Sequence, residues 1–214
     1  MYQLYYSPGA CSMAVHIALA EIGAPFELTR VFVPAGETTL PAFLAVNPKG
    51  RVPALVFEGG LLTEVPAILS YLALSHADAG LMPADPLAHA RVLEWLAWLA
   101  SEVHPAFGQI WRPGRSVTDA TLHANVQARG RENVIDRFAD IEAKLQKSNS
   151  FTVVDEYTVA DPYLFVFYQW GRMEGFDMAG FPAFSAHAAR VAARPATQRA
   201  LVREGLVKVG ERMP

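Results

Sequence analysis

YQLYYSPGACSMAVHIALAEIGAPFELTRVFV, residues 2–33, places a helical pattern between two short apolar segments. Residues 2–6 read as a strand, and Ser7-Pro8-Gly9 breaks it sharply. From Cys11 onward, Met13, Ala14, Ile17, Ala18 and Ile22 recur at helical spacing, and Gly23 is well placed to end the helix. Residues 26–33 form a second strand. A crossover of this length between two strands implies a parallel pair.

Working outward, a helical turn or two is expected in Leu40 to Val46, followed by the turn-rich loop NPKGRVP. ALVF and LLT flank Glu58-Gly59-Gly60, a short connection that reads as an antiparallel hairpin. PAILSYLALS, residues 66–75, is a helix with Pro66 in its first turn. The first 77 residues thus spell a mixed sheet with helices packed on it. GLMPADP at 80–86 carries two prolines and no periodic pattern, which reads as a linker. Beyond it, helical periodicity covers 87–111, 119–146, 159–171, 183–193 and 196–204. The expected class is α/β plus all-α: a small α/β domain over 1–78, a linker over 79–86 and a helical domain over 87–214.

Composition narrows the function. The 214 residues are 52% hydrophobic, ample for a core, and hold one cysteine, which cannot close an internal disulfide and fits a reducing, cytoplasmic setting. The net charge is −3 and no basic block occurs, so nucleic acid is not an expected partner. The N-terminus has no basic flank followed by an apolar run, and the longest apolar run, Tyr163 to Tyr168, falls far short of the ~20 residues of a membrane span. A charged fraction of 18%, against roughly 25% in typical domains, is explained if part of the surface is buried in an oligomer.

Cys11 falls at the junction of strand and helix. A thiol there lies beside unpaired N–H groups and the positive end of the helix dipole, which predicts a thiolate populated near neutral pH. The competing reading is an inert, buried cysteine. Ala14 occupies the third position after it, so there is no Cys-x-x-Cys dithiol; a working thiol needs a second thiol from a small molecule, and glutathione is the intracellular candidate.

YYSPGACSMAVHIAL, AVNPKGRVPAL, LLTEVPAILSYLA, LEWLAWLASEVHPAF and YTVADPYLF resemble, in order and spacing, the bacterial beta-class glutathione S-transferases over essentially the whole chain. The resemblance implies a thioredoxin-like N-terminal domain, a C-terminal helical domain, a homodimer and glutathione as co-substrate. It implies no metal. The activity implied is glutathione transfer to hydrophobic electrophiles, with thiol-disulfide exchange or peroxidase chemistry through the cysteine. A ligand-carrying protein with weakened catalysis, and a glutathione-dependent isomerase or dehalogenase, are the alternatives.

By the same resemblance, Cys11 and His104 flank the glutathione sulfur, and Val52-Pro53 is a cis step whose backbone pairs with the peptide. Glu64 and Val65, at a helix start, hold the γ-glutamyl group. Relatives carry Ser or Gly at the position of Val65, and a lysine at that of Pro105, which is expected to kink its helix. A second lysine of relatives is replaced within VPAGE, leaving Lys49, Arg51 or Arg112 as substitutes. Ser12, the hydroxyl that activates thiols in other classes, is read as a helix-start residue bonding backbone. Thr158 to Asp161 is read as a capping box serving folding. Trp95, Trp98, Phe107, Trp111 and Tyr168 are either core or the lining of an acceptor pocket.

Overall fold

A computed structural model describes residues 1–148, 151–152 and 156–207. Strand β1 (Tyr2–Tyr6) lies inside a four-stranded sheet of order β2-β1-β3-β4, with β2 at Phe26–Arg30, β3 at Ala54–Phe57 and β4 at Gly60–Thr63. The parallel pairing of β1 with β2 aligns Leu4 with Leu28, while β3 runs antiparallel to both β1 and β4. Alternation along β1 sends Leu4 and Tyr6 into the main core and Tyr5 to the opposite face, where its ring lies 5.9 Å from that of Phe43. Phe43 belongs to α2 (Pro41–Leu44), a single turn preceded by two 3-10 turns.

Helices α1 (Ser12–Ile22) and α3 (Val65–Ser75) pack on the main-core face. Every residue of α1 from Ser12 to Leu19 is buried. A helix covering only one face of a sheet would keep a polar side; α1 keeps none because α7 and α9 cover its outer face. The helical part contains α4 (Pro86–Trp98), α5 (His104–Trp111), α6 (His123–Leu145), α7 (Ala160–Met173), α8 (Pro182–Ala192) and α9 (Pro195–Arg203). Between α3 and α4 the chain is pinned: Leu81 is buried and its carbonyl accepts the Val159 N–H at 3.0 Å.

Three departures from the sequence reading have physical causes. The strand expected over 26–33 stops at Arg30, because Val33–Ala35, which carries Pro34, turns as a 3-10 helix. The long amphipathic helix begins at His123 instead of 119, because Asp119 caps a separate 3-10 turn through the Thr121 N–H. The helix expected over 87–111 widens into a π-helical turn at Leu99–Val103, where the His104 N–H reaches the Leu99 carbonyl five residues back. Pro105 follows immediately; it has no N–H and its ring crowds the preceding turn, so the widened turn absorbs the distortion expected of it.

Asp161 is fully buried at the start of α7. Its Oδ2 accepts the Thr158 N–H at 2.7 Å and the Thr158 hydroxyl at 3.1 Å, while Oδ1 accepts from the Thr152 N–H at 2.9 Å and His187 Nε2 at 2.8 Å. The capping box therefore extends into a hub that ties three segments together. Asp161→Ala leaves several buried donors without an acceptor, and a loss of about 3 kcal/mol is expected, read as a lowered urea midpoint.

Candidate functional site

The turn after β1 is shaped by its own small residues. Gly9 adopts φ +70°, a conformation that favours glycine, and the Ala10 N–H closes the turn on the Ser7 carbonyl at 3.0 Å. The buried Ser12 hydroxyl donates to the Ser7 carbonyl and accepts its N–H, both at 3.2 Å. That hydroxyl is thus committed to backbone, as expected of a helix-start residue.

The helical part grips the same turn. The Gly9 N–H donates to Glu204 Oε2 at 2.9 Å, and the Gly9 carbonyl accepts from Trp170 Nε1 at 2.8 Å. Glu204 is held in turn by His16 Nδ1 at 2.9 Å. Neither Trp170 nor Glu204 is conspicuous in sequence; each is one of many similar residues on a helical face.

Cys11 caps α1, and its thiol donates to the Val52 carbonyl at 3.5 Å. The Val52–Pro53 bond is cis, and the Val52 N–H donates to no acceptor among the described residues. Asn47, almost fully buried, shapes the approach to this step by donating to the Arg51 carbonyl at 2.6 Å. Glu64, next to the start of α3, has φ +71°, and is the one non-glycine in that region among the described residues. A conformation so costly for an L residue persists only where its surroundings impose it, and such positions cluster at functional sites. Its carboxylate accepts from Lys49 Nζ at 2.8 Å, and Lys49 also donates to Thr63 Oγ1 at 3.1 Å. Lys49 is therefore tied to the Glu64 end of the site.

On the opposite wall, His104 begins α5 immediately after the π-helical turn, with its ring edge-on to Trp170 at 5.0 Å. Its Nδ1 lies 3.5 Å from the hydroxyl of Tyr163, a fully buried side chain of α7. Cys11 lies within electrostatic reach of that phenol. Tyr163 escaped the sequence reading because it sits in the run Tyr163 to Tyr168, which is apolar and reads as core.

Of the five aromatic candidates, Phe107 and Trp111 join Phe167 and Trp170 in one cluster bordered by His104. Trp95 and Trp98 instead pack against Lys144, and Trp95 lines a groove of about 500 Å³ that Cys11, Val52, Glu64 and His104 do not touch. Tyr168 is turned toward Phe184 and Ser185. Among the described residues, no three His, Cys, Asp or Glu side chains gather as a metal site.

Residues 1–74 match the family model of the glutathione S-transferase N-terminal domain, and residues 116–195 that of the C-terminal domain. The chain is 36% identical to glutathione S-transferase GstA of Escherichia coli O157:H7 over 95% of its own length and 99% of that protein. A glutathione transferase homologue from Sulfitobacter, solved with bound glutathione, superposes with a TM-score of 0.91 at 34% identity, covering 97% of this chain and 99% of that one. A sphingomonad glutathione S-transferase complexed with glutathione gives 0.83 at 40% identity, over 96% and 100% of the respective chains. The chain belongs to the glutathione S-transferase family.

In this transferase the state of the thiol differs from the expectation raised by its place at a helix N-terminus. Burial pushes the Cys11 thiol up to about 12, and Glu64 acts in the same direction; the N–H groups of Cys11 and Ser12, with Arg112, oppose the rise without reversing it. The expected neutral-pH thiolate is thus corrected: the thiol is protonated. His104 is driven down to about 4, chiefly by burial and then by the positive charges of Arg112 and Arg51. At neutral pH the site presents a neutral thiol and a neutral imidazole. Thiolate absorbance, with Cys11→Ala as blank, is expected to rise only well above the ~8.5 of a free thiol. The His104 ring proton is expected to titrate by NMR near pH 4, well below the usual histidine range; a midpoint near 6.5 would contradict the burial argument.

Proposed function

We propose that this transferase binds glutathione as an added strand along Val52 and delivers its sulfur to hydrophobic electrophiles. The observation that carries the reading is the Val52 N–H, left without an acceptor beside Pro53 and within the neighbourhood of both Cys11 and the strained Glu64. A peptide running along this edge pairs its backbone with Val52 and Pro53. Its γ-glutamyl end meets the α3 start, where the Val65 N–H faces the carboxylate and Glu64 the ammonium. Arg51 is suited to the glycyl carboxylate. The relatives solved with glutathione support this ligand.

The electrostatics support distinct roles for Cys11 and His104. A protonated Cys11 is a donor, so it hydrogen-bonds an incoming glutathione thiolate. The Ser12 N–H and the field of Arg112 favour that same anion. The buried Tyr163 hydroxyl lies 3.5 Å from His104 Nδ1, and the neutral imidazole accepts a proton only transiently. Conjugation proceeds when glutathione sulfur attacks the electrophilic carbon and the leaving group or electron pair departs. Direct attack by Cys11 on a disulfide needs its thiolate, which burial suppresses, so exchange and peroxidase chemistry are secondary here. A second reading, glutathione-dependent isomerisation, draws support from a partial relative, the maleylacetoacetate isomerase of Pseudomonas aeruginosa, 41% identical over 103 residues. The enzyme acts in the cytoplasm as a homodimer, a state favoured by the low charge and by the exposed Leu74, Leu87 and Leu93.

Glu64→Ala is expected to weaken glutathione about tenfold to a hundredfold in calorimetry, from loss of a charged hydrogen bond of ~1.5–3 kcal/mol. Cys11→Ala leaves binding within a few-fold and lowers turnover. Unchanged affinity in Glu64→Ala would show that the γ-glutamyl group binds elsewhere. Sedimentation is expected to give twice the chain mass at micromolar concentration.

A further inference from the structure

Most arginines of the protein rest against a counterpart: Arg194 on Glu21, Arg131 on Glu174, Arg203 over Phe26. Among the described residues, Arg51, Arg112 and Arg115 have neither a carboxylate, a carbonyl nor a ring against their guanidinium groups. These three gather in one place. Arg51 precedes Val52; Arg112 ends α5 directly after Trp111; Arg115 closes the 3-10 turn that follows, its N–H on the Arg112 carbonyl at 3.0 Å. Arg115 feels the repulsion of both the others, and the charges of Arg51 and Arg112 both reach His104. The acidic groups nearby are already taken: Glu64 by Lys49 at 2.8 Å, and Glu174 by Trp111 Nε1 and Arg131.

Like charges left together without counter-ions in a chain of net charge −3 mark a site awaiting an anion. Glutathione brings one carboxylate to this end, and Arg51, beside the proposed peptide strand, suffices for it. Arg112 and Arg115 lie on the helical wall, Arg112 directly after the half-buried Trp111, whose ring stands edge-on to the buried Trp170 at 4.8 Å. We propose that they form an acceptor subsite for electrophiles that join an apolar, aromatic body to a carboxylate, the ring resting on Trp111 and the carboxylate on the two guanidinium groups. Trp170, edge-on to Trp111, also meets the His104 ring at 5.0 Å and donates to the carbonyl of Gly9 in the turn that presents Cys11, so an acceptor resting on Trp111 lies beside that turn. In an addition to an unsaturated ketone, the C–S bond forms at the β-carbon and the alkene pair moves to the carbonyl oxygen as an enolate. A proton equal to the one lost by the thiol then returns at the α-carbon, so no further reactant is needed.

This subsite rests on the glutathione reading for its turnover and not for its binding. The probes are therefore ethacrynic acid, whose carboxylate is insulated from its enone by an ether, its methyl ester, and the saturated, unreactive forms of both. Tryptophan fluorescence titrations with the saturated pair are run without glutathione and with saturating glutathione. The acid is expected to bind about tenfold tighter than the ester under both conditions. Arg112→Gln and Arg115→Gln are each expected to bring the ratio toward one, and the ratio of kcat/KM for the reactive pair is expected to follow. Equal binding of acid and ester overturns the proposal. So does a preference that saturating glutathione abolishes, since the arginines then serve the peptide's own carboxylate. A retained acid preference without any glutathione binding in the same titration upholds the subsite and rejects the glutathione reading instead.

Discussion

Helix α1 is enclosed by the sheet and α3 on one side and by α7 and α9 on the other, and that enclosure governs the chemistry at its N-terminus. The same contacts that let an apolar helix lose its last water also remove water from Cys11. A helix N-terminus stabilises an adjacent anion by about 0.3–1 kcal/mol, reaching ~2 in favourable partly buried geometry. The rise of the thiol from 9.0 to about 12 corresponds to about 4 kcal/mol. Desolvation therefore outweighs the dipole, and Cys11 serves as a hydrogen-bond donor in the resting enzyme.

Besides the packing of α7 and α9 on α1, the two parts of the chain are coupled at one glycine next to the site. Gly9 has its N–H on Glu204 and its carbonyl on Trp170, so the backbone that presents Cys11 is positioned by residues far away in sequence. Glu204 reaches it only because His16, buried within α1, holds the other carboxylate oxygen. Removing any member of this chain leaves a buried polar group unpaired, an expensive state in a dry interior.

Local patterning carried most of the fold. Strand β1, the break at Ser7-Pro8-Gly9 and α1 followed from residue types and spacing, and so did the helical character beyond the proline-rich segment at 80–86. The candidate site was legible in the residues themselves only at the lone Cys11; the cis Val52–Pro53 step, Glu64 and His104 were supplied by the resemblance. It was illegible where function depends on who meets whom. Tyr163 is an ordinary aromatic in an apolar run, and its place beside His104 is set by how α7 crosses α5. The π-helical turn was hidden because Pro105 announces a distortion without saying how the chain absorbs it. The state of Cys11 was misjudged because a dipole is a local property, whereas burial is settled by α7 and α9.

His104 shows how these constraints meet in one group. Burial alone disfavours its charged form, and Arg112 and Arg51 disfavour it further. An imidazole held neutral at physiological pH cannot neutralise a sulfur anion by becoming a lasting cation. The positive charge that such an anion needs must then come from groups that do not titrate in this range. Guanidinium groups meet that requirement, since they stay charged at any pH the enzyme meets. The arginines, whose charge adds to the larger effect of burial on the imidazole, are on the proposed reading the source of the field it would otherwise have provided. On that reading, the arginines stabilise the negative charge of a bound glutathione sulfur, and Cys11 donates a hydrogen bond to it.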